Sequence, residues 1–395
     1  MTPDLEDPGF DPGALAISAR LDALVRAEIR AAGGLLPFDR FMELALYAPG
    51  LGYYVAGAPK LGPGGDFVTA PEVSPLFGAC LANQCAEVLG RLGGGDILEL
   101  GAGSGALAVQ ALARLESLGA LPGRYLILEP SPDLAARQRE LIGARLPRLA
   151  GRCAWLADLP RGLKGLILAN EVLDAMPVHR FRIGQSGEVL EVCVGEAGES
   201  LTETAVPVRS PGLAEAVAAI RAGGAPLPPG YGSEVNLRLP PWLAAVAATL
   251  DAGLALLIDY GYPQGAYYQP DRGLGTLMCH LRHRAHGDPY RHLGLQDITA
   301  HVDFSAAARA GAEAGLELAG FATQAHFLIG CGIDGLMAPS PGEPPDLDLV
   351  LGAKQLLLPQ AMGERFKVLG LAKGIEGALA GPWRGFSIRD LRDRL

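Results

Sequence analysis

Basic charge is scarce in this chain. Its 33 lysines and arginines are outnumbered by 43 aspartates and glutamates, giving a net charge of −10, and lysine occurs only at Lys60, Lys164, Lys354, Lys367 and Lys373. Non-specific grip on nucleic acid or anionic lipid needs a Lys/Arg surplus that releases counterions, so neither partner is expected. Long apolar runs are missing too. None reaches the roughly 18 uninterrupted residues of a membrane helix, and a soluble chain without membrane insertion is expected. Cysteine is sparse and unpatterned. Cys80, Cys85, Cys153, Cys193, Cys279 and Cys331 form no paired framework and are read as thiols of a reducing compartment. The opening MTPDLEDPGF carries Asp4, Glu6 and Asp7 and no Arg. It is unlike a transit peptide and too polar for a signal sequence, which makes the cytoplasm the expected location.

What is present is apolar material for more than one core. The chain has 395 residues, 49% of them hydrophobic, which implies two domains or one core with large insertions. Ile17, Leu21, Leu24, Val25 and Ile29 recur at helical spacing before Gly33-Gly34, and a second helix is predicted over Phe38–Tyr47. From Asp96 the pattern alternates: strand 96–100, helix 106–118, strand 125–128, helix 132–145, strand 153–156, strand 166–169. Such alternation implies a doubly wound, mostly parallel α/β sheet. It lapses between Phe181 and Leu239, where hairpins are predicted. It resumes with helix 241–250, strand 254–258, helix 303–315, strand 323–327 and a last strand from Phe366. The expected division is an N-terminal helical and cleft-wall segment (1–74), a core (75–180), a substrate-side insertion (181–240), the core continued (241–329), a helical lid insertion (330–365), and a last strand with its tail (366–395).

The strongest chemical signal is Asp96-Ile97-Leu98-Glu99-Leu100-Gly101-Ala102-Gly103-Ser104-Gly105, a strand ending in a glycine-rich turn that opens a helix. Open α/β sheets bind ligands at that edge, and Gly101, Gly103 and Gly105 carry no Cβ to hold a ligand off the backbone. Glu129 follows the next strand, where a carboxylate can accept both hydroxyls of a ribose, and Asp158 follows the third, within reach of an adenine amino group. Glu99, two positions before the first glycine, suits a cationic amino-acid moiety and would sit badly beside a pyrophosphate. These features favour S-adenosylmethionine. Gly101-x-Gly103-x-x-Ala106 also fits a dinucleotide fingerprint, so an NAD(P)-dependent oxidoreductase remains an alternative, as does a merely structural turn.

Asn170, Glu171 and Asp174 follow the fourth strand and would face a transferable methyl group. A guanidinium is essentially always protonated, so an arginine substrate needs carboxylates that orient its planar fork, and Glu171 and Asp174 are the candidates. The plainer alternative makes Asp174 a helix N-cap and Glu171 a solvated loop acid. His301, just before a helix that Asp303 would cap, is a candidate assisting group or a satisfied structural histidine. Cys279-His280-x-x-His283-x-x-His286 has no metal-ligand spacing and lies among Arg282, Arg284 and Arg291. No metal is expected there, and the segment reads as a basic strand-and-loop surface.

Several separated segments together resemble the MidA family: Tyr47-Ala48-Pro49-Gly50-Leu51-Gly52-Tyr53-Tyr54, Gly65-Asp66-Phe67-Val68-Thr69-Ala70-Pro71-Glu72-Val73-Ser74, Glu99 to Gly105, Asn170-Glu171-Val172-Leu173-Asp174-Ala175-Met176-Pro177, and Gln296-Asp297-Ile298-Thr299-Ala300-His301-Val302-Asp303-Phe304. The resemblance implies a Rossmann-like class I S-adenosylmethionine-dependent methyltransferase with a seven-stranded sheet. It also implies an activity like that of the mitochondrial members, which symmetrically dimethylate an arginine of a respiratory complex I core subunit and assist its assembly. By resemblance Gly101, Gly103, Glu129 and Asp158 inherit the methyl-donor site, and Asp66, Phe67 and Glu72 become walls of the same cleft. The expected partner is a protein substrate, a complex I subunit being the example at hand. A bacterial cytoplasmic location is expected, and a homodimer and a catalytically silent assembly factor stay open.

Overall fold

The computed structural model describes residues 9–56, 68–339, 342, 344–375 and 382–395. The chain divides into two units: residues 1–67, 174–238 and 264–301 form one, and residues 68–173, 239–263 and 302–395 form the other.

The second unit is built on a mixed sheet. Its strands are β1 (Asp96–Leu100), β2 (Tyr125–Leu128), β3 (Cys153–Leu156), β4 (Leu163–Asn170), β5 (Leu250–Tyr262), β6 (Glu317–Thr323) and β7 (Phe366–Lys373). They lie in the order β6-β7-β5-β4-β1-β2-β3, and a two-residue strand, Val302–Asp303, pairs with β5. The expectation of seven strands is therefore corrected to an 8-stranded sheet. Every pair is parallel except those of β7, which runs antiparallel to both β5 and β6. The centre of the sheet is apolar on both faces because it is buried on both: Leu254, Ala255, Leu256, Leu257 and Ile258 of β5 are each 0% exposed.

One reading of this unit is corrected. A strand is predicted over 323–327, but the chain leaves β6 at Thr323, whose hydroxyl accepts from the His326 backbone N–H and caps a helix over Gln324–Gly330. The local capping interaction outweighs the β-branched and aromatic content of the segment. Within segment 330–365, Ile333, Ala353 and Leu356 of helices Ile333–Met337 and Leu347–Leu357 are buried in the core that also holds helix Pro75–Leu92.

The first unit is antiparallel. Leu36–Pro37 pairs with Val189–Ala197, which pairs with Ser200–Pro207 and His179–Ile183, and the last of these pairs with Gly232–Val235. Helices Pro12–Ala31 and Phe38–Tyr47 bury Leu21, Val25, Ile29, Phe38, Phe41 and Met42 in a core shared with Val194, Leu201 and Ile298. Residues 264–301, expected as part of the core sheet's domain, belong to this unit. Their strands Met278–Leu281, Arg284–His286 and Asp297–Thr299 form a separate three-stranded sheet. All six cysteines are free thiols. No helix among the described residues is long and apolar enough to cross a membrane.

Candidate functional site

The register of the parallel strands brings the sequence candidates to one edge. Leu100, Leu128 and Leu156 are successive partners at the carboxyl ends of β1, β2 and β3, and Leu100 also faces Ala169 of β4. The glycine loop, Glu129, Asp158 and Asn170 therefore all begin within two residues of the same sheet edge, where open α/β sheets place ligands. Gly101, Gly103 and Gly105 have φ of 65°, 53° and 85°. That left-handed backbone aims the loop into the first turn of helix Ala106–Ser117 and disfavours any side chain at the three positions.

Glu99 is only 3% exposed, and its Oε2 accepts from the Tyr125 hydroxyl at 2.7 Å. Burial raises its carboxyl to about 7, against a lowering by Tyr125 and a further rise from the Glu129 charge. The folded chain thus holds a proton that the unfolded chain, with a carboxyl near 4.5, releases. Between those values the wild-type protein loses stability as pH rises, by up to about 1.4 kcal/mol per pH unit. Glu99→Gln is expected to remove that slope, as urea unfolding across the interval will show.

Glu129 is held from two sides. Its Oε1 accepts from the Ser131 backbone N–H at 3.0 Å, and its Oε2 from the Gln138 side chain at 3.0 Å. Burial nevertheless raises its carboxyl above the usual range, with Ser131 and Gln138 opposing. Asp158 is exposed beyond the end of β3. Asn170 ends β4; its Nδ2 donates to Glu171 Oε1 at 3.1 Å, and its Oδ1 is a buried acceptor with no hydrogen-bond partner among the described residues.

Glu171 is a conformational outlier at this edge. Its φ of 54° is left-handed for a residue with a long side chain, a state that costs on the order of 1–2 kcal/mol and concentrates at functional sites. Its backbone N–H donates to Ile258 O at 2.9 Å, extending the β4–β5 pairing past Asn170. Asp259, a residue the sequence reading passed over, fixes the turn. It is 0% exposed, accepts from the Leu173 N–H through Oδ2 at 3.0 Å, and accepts from its own neighbour Tyr260 through Oδ1 at 2.9 Å. The available signal was a single acid at the end of the buried apolar run of β5.

Asp174 and His301 belong to the first unit. No helix begins at Asp174: the chain turns and enters strand His179–Ile183, so the N-cap alternative falls away. Asp174 is 5% exposed and its carbonyl accepts from Ala300 N–H at 3.0 Å. Its neighbourhood is aromatic and acidic. The Tyr54 hydroxyl donates to both carboxylate oxygens of Asp297, at 3.0 and 3.1 Å, and the Tyr47 hydroxyl donates to Ala175 O at 3.0 Å. Burial, then the charges of Asp297 and Asp174, push the Tyr54 hydroxyl well above its usual value. The half-buried His301 donates its backbone N–H to Thr276 Oγ1 at 3.0 Å. In the second unit Asp303 caps helix Phe304–Glu313, accepting from Ala306 N–H at 3.1 Å.

Among the remaining candidates, Glu72 is the N3 residue of the short helix Ala70–Val73, and its carboxylate reaches back to Thr69 N–H at 3.4 Å in a capping box. Asp66 and Phe67 lie outside the described residues. The histidine-rich segment forms a hairpin turning at Arg282 and His283, whose φ values are 48° and 61°. Among the described residues no group of three or more His, Cys, Asp or Glu is placed to hold a metal ion.

A left-handed glycine loop at the end of β1, an acid after β2 and a buried amide oxygen at the end of β4, unpartnered among the described residues, fit a nucleoside-bearing ligand at this edge. A family model of S-adenosyl-L-methionine-dependent methyltransferases matches residues 80–322. The chain is therefore a methyltransferase that uses S-adenosylmethionine, and the dinucleotide alternative is set aside.

Within that class it belongs to the MidA family. It is 31% identical to the zebrafish (Danio rerio) mitochondrial protein arginine methyltransferase NDUFAF7, over 85% of this chain and 83% of that protein. To the human protein of the same name it is 29% identical, over 86% and 80%. Over 98% of its length it also superposes, with a TM-score of 0.91 and 42% identity, on the whole of a Burkholderia thailandensis protein crystallised with S-adenosyl-homocysteine.

Proposed function

We propose that this protein transfers methyl groups from S-adenosylmethionine to an arginine side chain of a partner protein, as its similarity to the protein arginine methyltransferases NDUFAF7 suggests. The observation that carries the reading is the left-handed Glu171 at the carboxyl edge of the sheet, buttressed by Asn170 and by the turn that Asp259 fixes.

Gly101, Gly103 and Gly105 make room for the methyl donor, Glu129 accepts its ribose hydroxyls, Glu99 faces its amino-acid end, Asp158 its adenine, and Asn170 offers its open Oδ1. Bound there, S-adenosylmethionine supplies an electrophilic methyl group on a sulfonium. Glu171 accepts guanidinium N–H groups and so draws positive charge away from the attacking nitrogen. Asp174 is proposed for the same role, and His301 for proton removal after transfer. Positioning supplies most of the rate, because displacement at the methyl carbon demands alignment of nitrogen, carbon and sulfur. The proposed product is symmetric dimethylarginine, the proposed substrate a respiratory complex I core subunit, and the proposed setting the bacterial cytoplasm. By the family resemblance, Asp66, Phe67 and Glu72 are proposed as donor-site residues.

Mass spectrometry of complex I subunits from wild-type cells and from cells lacking this protein tests the reading. The expected result is a loss of about 28 Da, two methyl groups at ~14 Da each, from one arginine in the deletion strain. Identical arginine masses in both strains would refute the complex I assignment.

A further inference from the structure

Helix Pro132–Arg145 turns Ala135, Gln138 and Ile142 inward, and Gln138 is 0% exposed. A fully buried amide is costly unless its groups are paired, and here they are. Nε2 donates to Gly103 O at 2.9 Å and to Glu129 Oε2 at 3.0 Å, while Oε1 accepts from Trp155 Nε1 at 2.8 Å. A carbonyl and a carboxylate only accept and an indole N–H only donates, so the three partners leave the amide one orientation. We infer that Gln138 is the positioning residue of the methyl-donor site, tying the glycine loop after β1 to the acid after β2 and presenting the Glu129 carboxylate to the ribose.

The physical logic is preorganisation. A Glu129 carboxylate without Gln138 would keep only the Ser131 N–H as a partner, and in a buried setting it would take up a proton or turn away. Either change removes the acceptor that the ribose hydroxyls need. The loop is fixed by the same amide. Gly103 O is clamped through a hydrogen bond, and a Cβ at Gly105 would stand 3.3 Å from Gln138 Cγ, so the third glycine also leaves room for this side chain. The signal in the sequence was a polar residue on the inward face of the helix, between Ala135 and Ile142.

The inference rests on the reading that Glu129 holds the ribose. Calorimetric titration with S-adenosyl-homocysteine and with its 2′-deoxyribose analogue separates the two. Wild-type protein is expected to prefer the ribose form by about tenfold or more, and Gln138→Met to bind S-adenosyl-homocysteine about 10- to 100-fold more weakly with that preference largely erased. Gln138→Leu also removes the donor with a smaller apolar side chain, and is expected to lose the preference in the same way if the Met variant does not fold. Weakening of both ligands by one common factor in these variants, with the preference intact, would overturn the role of Gln138. A wild-type protein indifferent to the 2′-hydroxyl would overturn the ribose role of Glu129 and this inference with it.

Discussion

Gly103→Val is expected to weaken S-adenosyl-homocysteine binding by about a hundredfold or more, an effect readable by calorimetry. The reason is twofold. The residue sits at φ 53°, where a β-branched side chain is strained, so the loop must rearrange. Its carbonyl is also the acceptor that Gln138 holds at 2.9 Å, so rearrangement unseats Glu129 as well. Gly103→Ala brings a smaller version of the same strain and should fall between wild type and valine. Unchanged affinity in the valine variant would mean that the methyl donor does not lie on this loop.

Glu171→Gln is expected to lower the rate of methyl transfer by on the order of a thousandfold while S-adenosyl-homocysteine affinity stays within a few-fold, because a neutral amide no longer draws the guanidinium charge. Glu171→Gly sharpens the point. Glycine adopts a φ of 54° without strain, so this variant should unfold at a higher temperature, by the equivalent of about 1 kcal/mol, and still be inactive. Stability gained together with activity lost is the signature of a residue held in place for chemistry. Glu171→Gly that retains transfer would reduce Glu171 to a turn residue.

Much of the framework of the candidate donor site was legible because its determinants are local. β1, β2 and β3 fall at the expected residues, and the glycine loop announces a turn that only residues lacking Cβ adopt readily. Asn170 and Glu171 were legible as an acidic loop, although the left-handed backbone that distinguishes Glu171 has no sequence signature. Gln138 and Asp259 escaped because their meaning is non-local: Gln138 has partners 9 to 35 residues away, and Asp259 fixes the turn through a residue 86 positions away. The make-up of the first unit was hidden for the same reason. Leu36 pairs with Val194, and Tyr54 meets Asp297, across separations that no periodicity reports. At Thr323 the strand expectation failed, since a hydroxyl capping His326 N–H starts a helix there.

The most direct test of the donor site is a crystal of this protein grown with S-adenosyl-homocysteine. The ribose hydroxyls should lie within about 3 Å of the Glu129 carboxylate, with the ligand's backbone-facing edge against Gly101 and Gly103 and its sulfur toward Asn170. A ligand bound elsewhere, with Glu129 making no contact to it, would contradict the account.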